Sequence, residues 1–246
     1  MSKKKLKSTL VILTRNEITG MTALIKKIPF DQVDEVFVVD YQSTDGTKEF
    51  ITQHHIRLIN QTIPGRGEAF RLAATKSSGD YLAFFSPDGN EDPRDIPRLL
   101  NLLRQGNDLA IASRFLPESR NEEDDQLLKF RAWANQGFTW LVNRFWRGTL
   151  SDSINGYRAI TKSAFKKLNL DAFGYAIEFQ MSIRALKLGL RIAEIPTIEG
   201  DRLGGESGSK AIQTGLLFIK CLLKEIWIGF KYGKNGRFWK QRQLHH

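Results

Sequence analysis

Cysteine occurs once in this 246-residue chain, as Cys221, and histidine only four times. One cysteine excludes an internal disulfide and suits a reducing compartment. With so few histidines it also leaves no ligand set for zinc. Long hydrophobic runs are missing as well. The basic start, residues 1–7, is followed by an apolar run of only Leu10 to Leu13, too short for a signal peptide. The strongest later run, residues 216–230, reaches roughly 22 Å as a helix. A bilayer core is about 30 Å thick, so that run reads as non-spanning. Internal repeats and an obvious linker are lacking too. The division expected is a basic tail (1–8), one large domain (9–210) and a C-terminal appendage (211–246).

Charge is present but uneven. The net charge is +10. Residues 1–8 contribute four lysines, and residues 211–246 hold seven basic residues against one acid. The body between carries 26 charges of each sign and is neutral. A nucleic-acid-binding domain carries its basic charge on the folded face instead, so nucleic acid is not expected as a partner. Basic tails beside an apolar helix point to anionic lipid, or simply to solubility.

The 41% hydrophobic content supports a core, and the apolar segments are short and regularly spaced. Strands are expected at residues 9–13, 36–39, 56–59, 81–85, 109–112 and 191–195. Helices are expected at 17–27, 47–54, 68–76, 93–103, 127–146 and 178–188. A polar loop at 117–126 and a Gly/Ser-rich flap at 201–210 complete the pattern. Strands alternating with helices mean an α/β fold with a mostly parallel sheet. Ligands of such sheets bind outside the carboxyl ends of the strands. Asp40, Gly65-Arg66-Gly67 and Asp88 all fall at those ends. Ser86-Pro87-Asp88-Gly89-Asn90, directly after the apolar run 81–85, is an oxygen-rich turn suited to a hard divalent cation and, through it, a diphosphate. The first strand-to-helix turn lacks Gly-x-Gly-x-x-Gly, which disfavours a nicotinamide enzyme.

The ordered motifs resemble those of the family 2 glycosyltransferases, near the dolichyl-phosphate mannosyltransferase-like branch. Thr14-Arg15-Asn16-Glu17 is similar to the family's P-x-Y/R-N-E. Asp40-Tyr41-Gln42-Ser43-Thr44-Asp45-Gly46-Thr47 is similar to D-D-x-S-x-D-G-T, with Tyr41 in place of the second aspartate. Ser43 to Thr47 also reads as an ordinary capped turn. Asp88 matches the second aspartate of D-x-D, Asn90 a third, amide-bearing ligand, and Ser86 replaces the first aspartate. Ser113-Arg114 resembles G-S-R, and the stretch from Asp152 to Arg158 resembles D-x-x-S-G-F-R. The stretch from Arg202 to Lys210 is similar to R-x-x-G-E-S-K with two extra residues, so either Ser207 or Ser209 matches its serine.

The resemblance, which runs over residues 9–210, implies a GT-A nucleotide-diphospho-sugar transferase fold. It implies sugar transfer from a nucleotide-diphosphate sugar with inversion, aided by Mg²⁺ or Mn²⁺ at Asp88 and Asn90. Thr14, Glu17, Asp40, Gly65, Arg66, Gly67, Asp88 and Lys210 are its expected donor contacts. Arg114, Arg131 and Arg158 are its expected acceptor contacts, the last two reading equally as surface arginines. Asp88 and Arg202 would assist departure of the diphosphate. A hydroxyl acceptor needs a general base, for which Asp152 and Glu178 are both candidates. A lipid phosphate is already anionic, and polyprenyl phosphate is the favoured acceptor. Two alternatives remain: transfer to a glycan or glycolipid hydroxyl in envelope polysaccharide assembly, and a catalytically dead nucleotide-sugar-binding protein at membranes. On a helix over residues 216–232, Lys220, Lys224 and Lys231 share one stripe and nearly everything else is apolar, Glu225 excepted. Such a helix lies in a membrane interface, or packs on the domain or a second copy. The expected location is cytoplasmic, peripheral to the membrane.

Overall fold

The computed structural model describes residues 6–121, 130–203 and 211–229. Seven strands form one sheet: β1 (Ser8–Thr14), β2 (Glu35–Asp40), β3 (Arg57–Asn60), β4 (Tyr81–Phe85), β5 (Leu109–Ser113), β6 (Arg158–Thr161) and β7 (Ile192–Pro196). Their order is β3-β2-β1-β4-β6-β5-β7. All pairings are parallel except those of β6, which runs antiparallel to both β4 and β5. The mostly parallel α/β sheet expected above is therefore present. β6 is the strand that the sequence pattern hides. It has only four residues, and its backbone is drawn into the gap between two longer strands.

Alternation along the strands sorts side chains onto two faces. Leu10, Ile12, Val38 and Phe85 meet α1 (Ile18–Leu24), α2 (Thr47–Gln53) and α4 (Asp95–Arg104) on one side. Val11, Leu13, Phe37 and Phe84 meet α3 (Arg66–Lys76), α6 (Lys162–Leu168) and α7 (Ala176–Lys187) on the other. Because both faces are covered, the central strands read as continuous apolar runs. Each fully buried Leu, Ile or Phe stabilises the fold by about 1.5–3 kcal/mol. Helix α6 lies in a stretch whose helical character the sequence pattern does not announce. Thr161 caps it by accepting a hydrogen bond from the Ala164 N–H at 3.1 Å.

A third apolar cluster joins α7 to α5 (Phe130–Trp146) and α8 (Ala211–Ile228). Phe138, Phe179 and Phe218 meet there with ring centroids 5.3–5.6 Å apart. The C-terminal helix thus packs on the domain through Phe218, Cys221 and Leu222, all buried. Glu225, the residue that seemed to spoil its apolar side, is fully buried and ionically paired. Its carboxylate accepts from Arg184 Nε at 2.8 Å and from Lys187 Nζ at 2.7 Å. Lys224 leaves the expected lysine stripe to pair with Asp171 at 2.7 Å. Lys231 lies outside the described residues, as do residues 230–246 generally. Ile212, Leu216, Ile219, Leu223 and Trp227 form a second apolar stripe on α8 that is exposed and begins at the cleft with Ile212. The helix is apolar nearly all round because two of its faces are apolar. No described helix is long and apolar enough to cross a membrane.

Candidate active site

A cleft of about 800 Å³ opens at the carboxyl ends of the parallel strands. Thr14, Glu17, Gly65, Arg66, Ser86, Asp88, Asn90, Arg114, Arg131, Glu178 and Arg202, all singled out from the sequence, line it. Asp40, Gly67, Asp152 and Arg158 do not.

Loop chemistry explains the first exclusion. Asp40 is fully buried. One of its carboxylate oxygens accepts from the Ser43 N–H at 3.0 Å, and the other accepts from Thr14 Oγ1 at 2.8 Å and from Ser43 Oγ. Asn16 completes the weave: its N–H donates to Ser43 Oγ and its side-chain oxygen accepts from the Thr44 N–H, both at 2.8 Å. Asp40 therefore braces the loops after β1 and β2, and it is not among the residues that line the cleft. Gly67 is the second residue of α3, where an added Cβ would run into the Ala172 carbonyl oxygen. It lets α3 approach that backbone closely.

The turn after β4 is held by backbone geometry. Gly89 has φ +102°, which favours glycine. A Cβ there would also come within 2.6 Å of the Asp201 carbonyl oxygen, because residues 200–203 lie across the turn. The Leu203 N–H donates to the Asp88 carbonyl at 2.8 Å and the Gly200 N–H to that of Asn90 at 3.1 Å. Arg202 reaches down from this strap, 3.0 Å from Asp88 Oδ2 and 3.5 Å from Glu17 Oε1. Burial, then repulsion from Asp88, pushes the Glu17 carboxyl up to about 7, with Arg202 opposing. Glu91, which sequence reasoning passed over, is raised well above the usual carboxylate range by burial, with Asp88 adding to the effect and Arg66 opposing it. Its carboxylate accepts from the Ser86 N–H at 2.7 Å. The signal for Glu91 was its place directly after Asn90 in the same acidic turn. Lys210, Ser207 and Ser209 lie outside the described residues.

This gathering of acids fits a cation. Among the described residues, no three acidic, histidine or cysteine groups form a ready-made ligand set. Asp88 and Asn90 would hold a divalent ion only with oxygens from a diphosphate and water completing the shell.

Arg66 leaves Gly65, which has φ +107°, and enters the cleft at the head of α3. Its Nε pairs with Glu178 Oε1, and its Nη1 donates to Ser86 Oγ at 3.0 Å. Glu178 Oε2 is buried and has no hydrogen-bond partner among the described residues.

The remaining candidates divide sharply. Arg131 is exposed on α5 at the cleft mouth. Arg114 also borders the cleft but is held by Asp152 in a two-pronged pair, at 2.7 and 3.1 Å. Burial alone would raise the Asp152 carboxyl; Arg114 and the Ile154 and Asn155 N–H donors outweigh it and hold the group low. Both of its oxygens are engaged, by Arg114 and by the N–H groups of Ile154 and Asn155, and it does not line the cleft. Arg158 is fully buried on β6, its donors directed at the carbonyls of Asn155 and Glu178. Burial lowers its pKa to about 10. It anchors α7 to β6 and does not line the cleft, where an acceptor contact is expected. Tyr41, Gln61, Phe173 and Tyr175 border the cleft as well. The guanidinium of Arg15 lies 5.4 Å from the centre of the Tyr41 ring.

Known proteins match at both levels. Residues 9–169 match the family described as Glycosyl transferase family 2. Undecaprenyl-phosphate mannosyltransferase of Micrococcus luteus is 31% identical over 212 residues, 80% of this chain and 85% of that one. Glycosyltransferase AglJ of Haloferax volcanii is 27% identical over 186 residues; the match covers 75% of this chain but only 60% of AglJ. Glucosyl-3-phosphoglycerate synthase of Mycobacterium tuberculosis, solved with Mn²⁺, UDP and glucosyl-3-phosphoglycerate, superposes with a TM-score of 0.70 at 23% identity, over 89% of this chain and 80% of that one. That likeness speaks for the fold, which is GT-A. The family match over most of the chain, joined to this sheet and cleft, makes the chain a member of the family 2 glycosyltransferases, in the branch of the dolichyl-phosphate mannosyltransferases.

Proposed function

We propose that this protein transfers a sugar, with inversion, from a nucleotide-diphosphate sugar to a polyprenyl phosphate at a membrane surface. One observation carries the choice of acceptor. The cleft has a charged floor, at Glu17, Asp88, Arg66 and Arg202, and an apolar mouth formed by α5 and α8. Phe130, Trp133 and Trp140 on α5 are exposed, as is the outer stripe of α8. Of these, Phe130 and Ile212 border the cleft itself, and exposed apolar groups leading away from a polar cleft suit an acceptor with an anionic head and a hydrocarbon tail. The names of M. luteus undecaprenyl-phosphate mannosyltransferase and of the polyprenol monophosphomannose synthase of Mycolicibacterium smegmatis point the same way.

In this reading the acceptor phosphate enters past Arg131 and its oxygen attacks the anomeric carbon. The bond to the donor diphosphate breaks, and the diphosphate leaves with the added charge. Arg202 stands over that position and Arg66 beside it, both suited to stabilise the departing anion. A divalent metal at Asp88 and Asn90, when bound, supplies further neutralisation of the diphosphate. The acceptor is ionised before it arrives, so no base is required. Residues 9–210 form the catalytic unit, and residues 211–246 add the membrane-facing part. In this reading the protein works at the cytoplasmic face of a membrane as a peripheral protein; no described helix is long and apolar enough to cross one.

The unpartnered Glu178 Oε2 favours a second reading, transfer to a glycan hydroxyl with Glu178 as base. A transfer assay with nucleotide sugars and Mg²⁺ or Mn²⁺, offering polyprenyl phosphate beside glycolipid hydroxyl acceptors, separates the two. Product on the hydroxyl acceptors alone rejects the phosphate reading. Binding of donors without turnover on any acceptor leaves only a binding protein.

A further inference from the structure

The serine at position 86 has a cationic partner in Arg66. Arg66 Nη1 donates to Ser86 Oγ at 3.0 Å, while its Nε is held by Glu178. The guanidinium carbon lies 5.5 Å from the centre of the Phe70 ring. A Cβ on Gly156 would overlap Arg66 Nη2. The guanidinium is therefore boxed on several sides, and its partner Ser86 stands two residues before Asp88 on the turn; the Arg66 side chain is 19% exposed and lines the cleft. A cation fixed in this way loses little side-chain freedom when an anion arrives.

We infer that Arg66, oriented by Ser86, is a resident cation for the donor diphosphate, and that serine stands at position 86 to keep that guanidinium available. This rests on the nucleotide-sugar reading above and adds a division of labour to it. The diphosphate meets one charge that belongs to the protein and one that comes with the metal. An aspartate at position 86 would place a carboxylate against Nη1. It would then compete with phosphate for the same donor. Such a protein would depend on metal more strongly, because Arg66, which already carries the pair with Glu178, would face a second carboxylate.

The test is titration calorimetry of UDP and GDP, each with Mn²⁺ or with EDTA, on the full chain and on Ser86→Asp, Ser86→Ala and Arg66→Met. Melting curves of each variant confirm that it is folded. The wild type is expected to retain measurable binding of at least one nucleotide in EDTA. Ser86→Asp is expected to lose about tenfold or more of that metal-free affinity and to recover it with Mn²⁺. Ser86→Ala, which removes only the orienting oxygen, loses less, and Arg66→Met loses as much as Ser86→Asp but does not recover with metal. If Ser86→Asp destabilises the fold, Ser86→Ala and Arg66→Met still decide the matter through the same comparison. Equal metal-free affinity in wild type and Arg66→Met overturns the inference and leaves the transferase reading standing. So does wild-type binding that appears only with Mn²⁺. Absence of binding to both nucleotides under either condition counts instead against the nucleotide-sugar reading itself.

Discussion

Arg184 on α7 and Glu225 on α8 meet at 2.8 Å with no solvent access to either side chain. Lys187 Nζ, also buried, donates to the other oxygen of the same carboxylate, and Gln180 Nε2 donates to the first at 3.0 Å. Removing one member of a buried cluster strands the others, which costs more than the pair adds. Glu225→Gln is expected to lower unfolding stability by about 3 kcal/mol. Urea denaturation monitored by Trp fluorescence checks this. An unchanged midpoint would show that the cluster does not hold α8.

Cys221 reports on the same contact. Burial, with the nearby charge of Glu225, pushes its thiol up to about 12. A thiol that is buried and un-ionised near neutral pH reacts slowly. Reaction with a disulfide reagent at pH 8 is expected to be slow in the native protein and fast in urea. It should also be faster in Glu225→Gln, where α8 opens more often.

Asp152 makes a pH-dependent contribution. Burial raises its folded pKa, but Arg114 and the Ile154 and Asn155 N–H donors together outweigh burial and hold it below the usual value of 3.8. A depressed carboxylate stabilises the fold above its unfolded pKa, and that contribution is lost as pH falls through the folded value. Asp152→Asn is expected to cost about 3 kcal/mol at pH 7. The gap to the wild type should narrow as the buffer is taken below pH 4, which denaturation curves measured along the pH series will show.

Asp88 and Glu178 separate catalysis from positioning. Asp88→Asn should reduce sugar transfer by about 10²–10³-fold while leaving the fold intact by circular dichroism. Glu178→Gln retains an oxygen for Arg66. With a phosphate acceptor it should cost no more than about tenfold, whereas loss of a general base costs about 10²–10⁴-fold.

The outer faces of α5 and α8 carry the membrane proposal. Trp133→Ser combined with Leu223→Ser is expected to weaken binding to phosphatidylglycerol vesicles by about tenfold or more. Sedimentation with vesicles measures it. Transfer to a water-soluble short-chain acceptor should persist in the same double variant.

Much of this protein is determined by its sequence alone. Short apolar runs such as 81–85 and 109–112 have few ways to be buried except in a sheet covered on both sides. The turn chemistry at Gly65 and Gly89 then delivers Arg66 and Asp88 to the strand ends. That logic is local, so it is legible residue by residue. Which charges remain available is not local. Asp40 and Asp88 follow similar apolar strands, yet Thr14 and Ser43 consume the first, while the second borders the cleft beneath Arg202. Arg131 and Arg158 are alike on paper, but β6 buries Arg158 because it runs antiparallel between β4 and β5. Glu225 looked like an interruption of an apolar face until α7 brought Arg184 and Lys187 to it. In each case at least one deciding partner lies 20 or more residues away, Thr14 for Asp40, Glu178 for Arg158 and Arg184 for Glu225. Only the packing of whole elements sets whether a polar group is satisfied internally or left to meet a substrate.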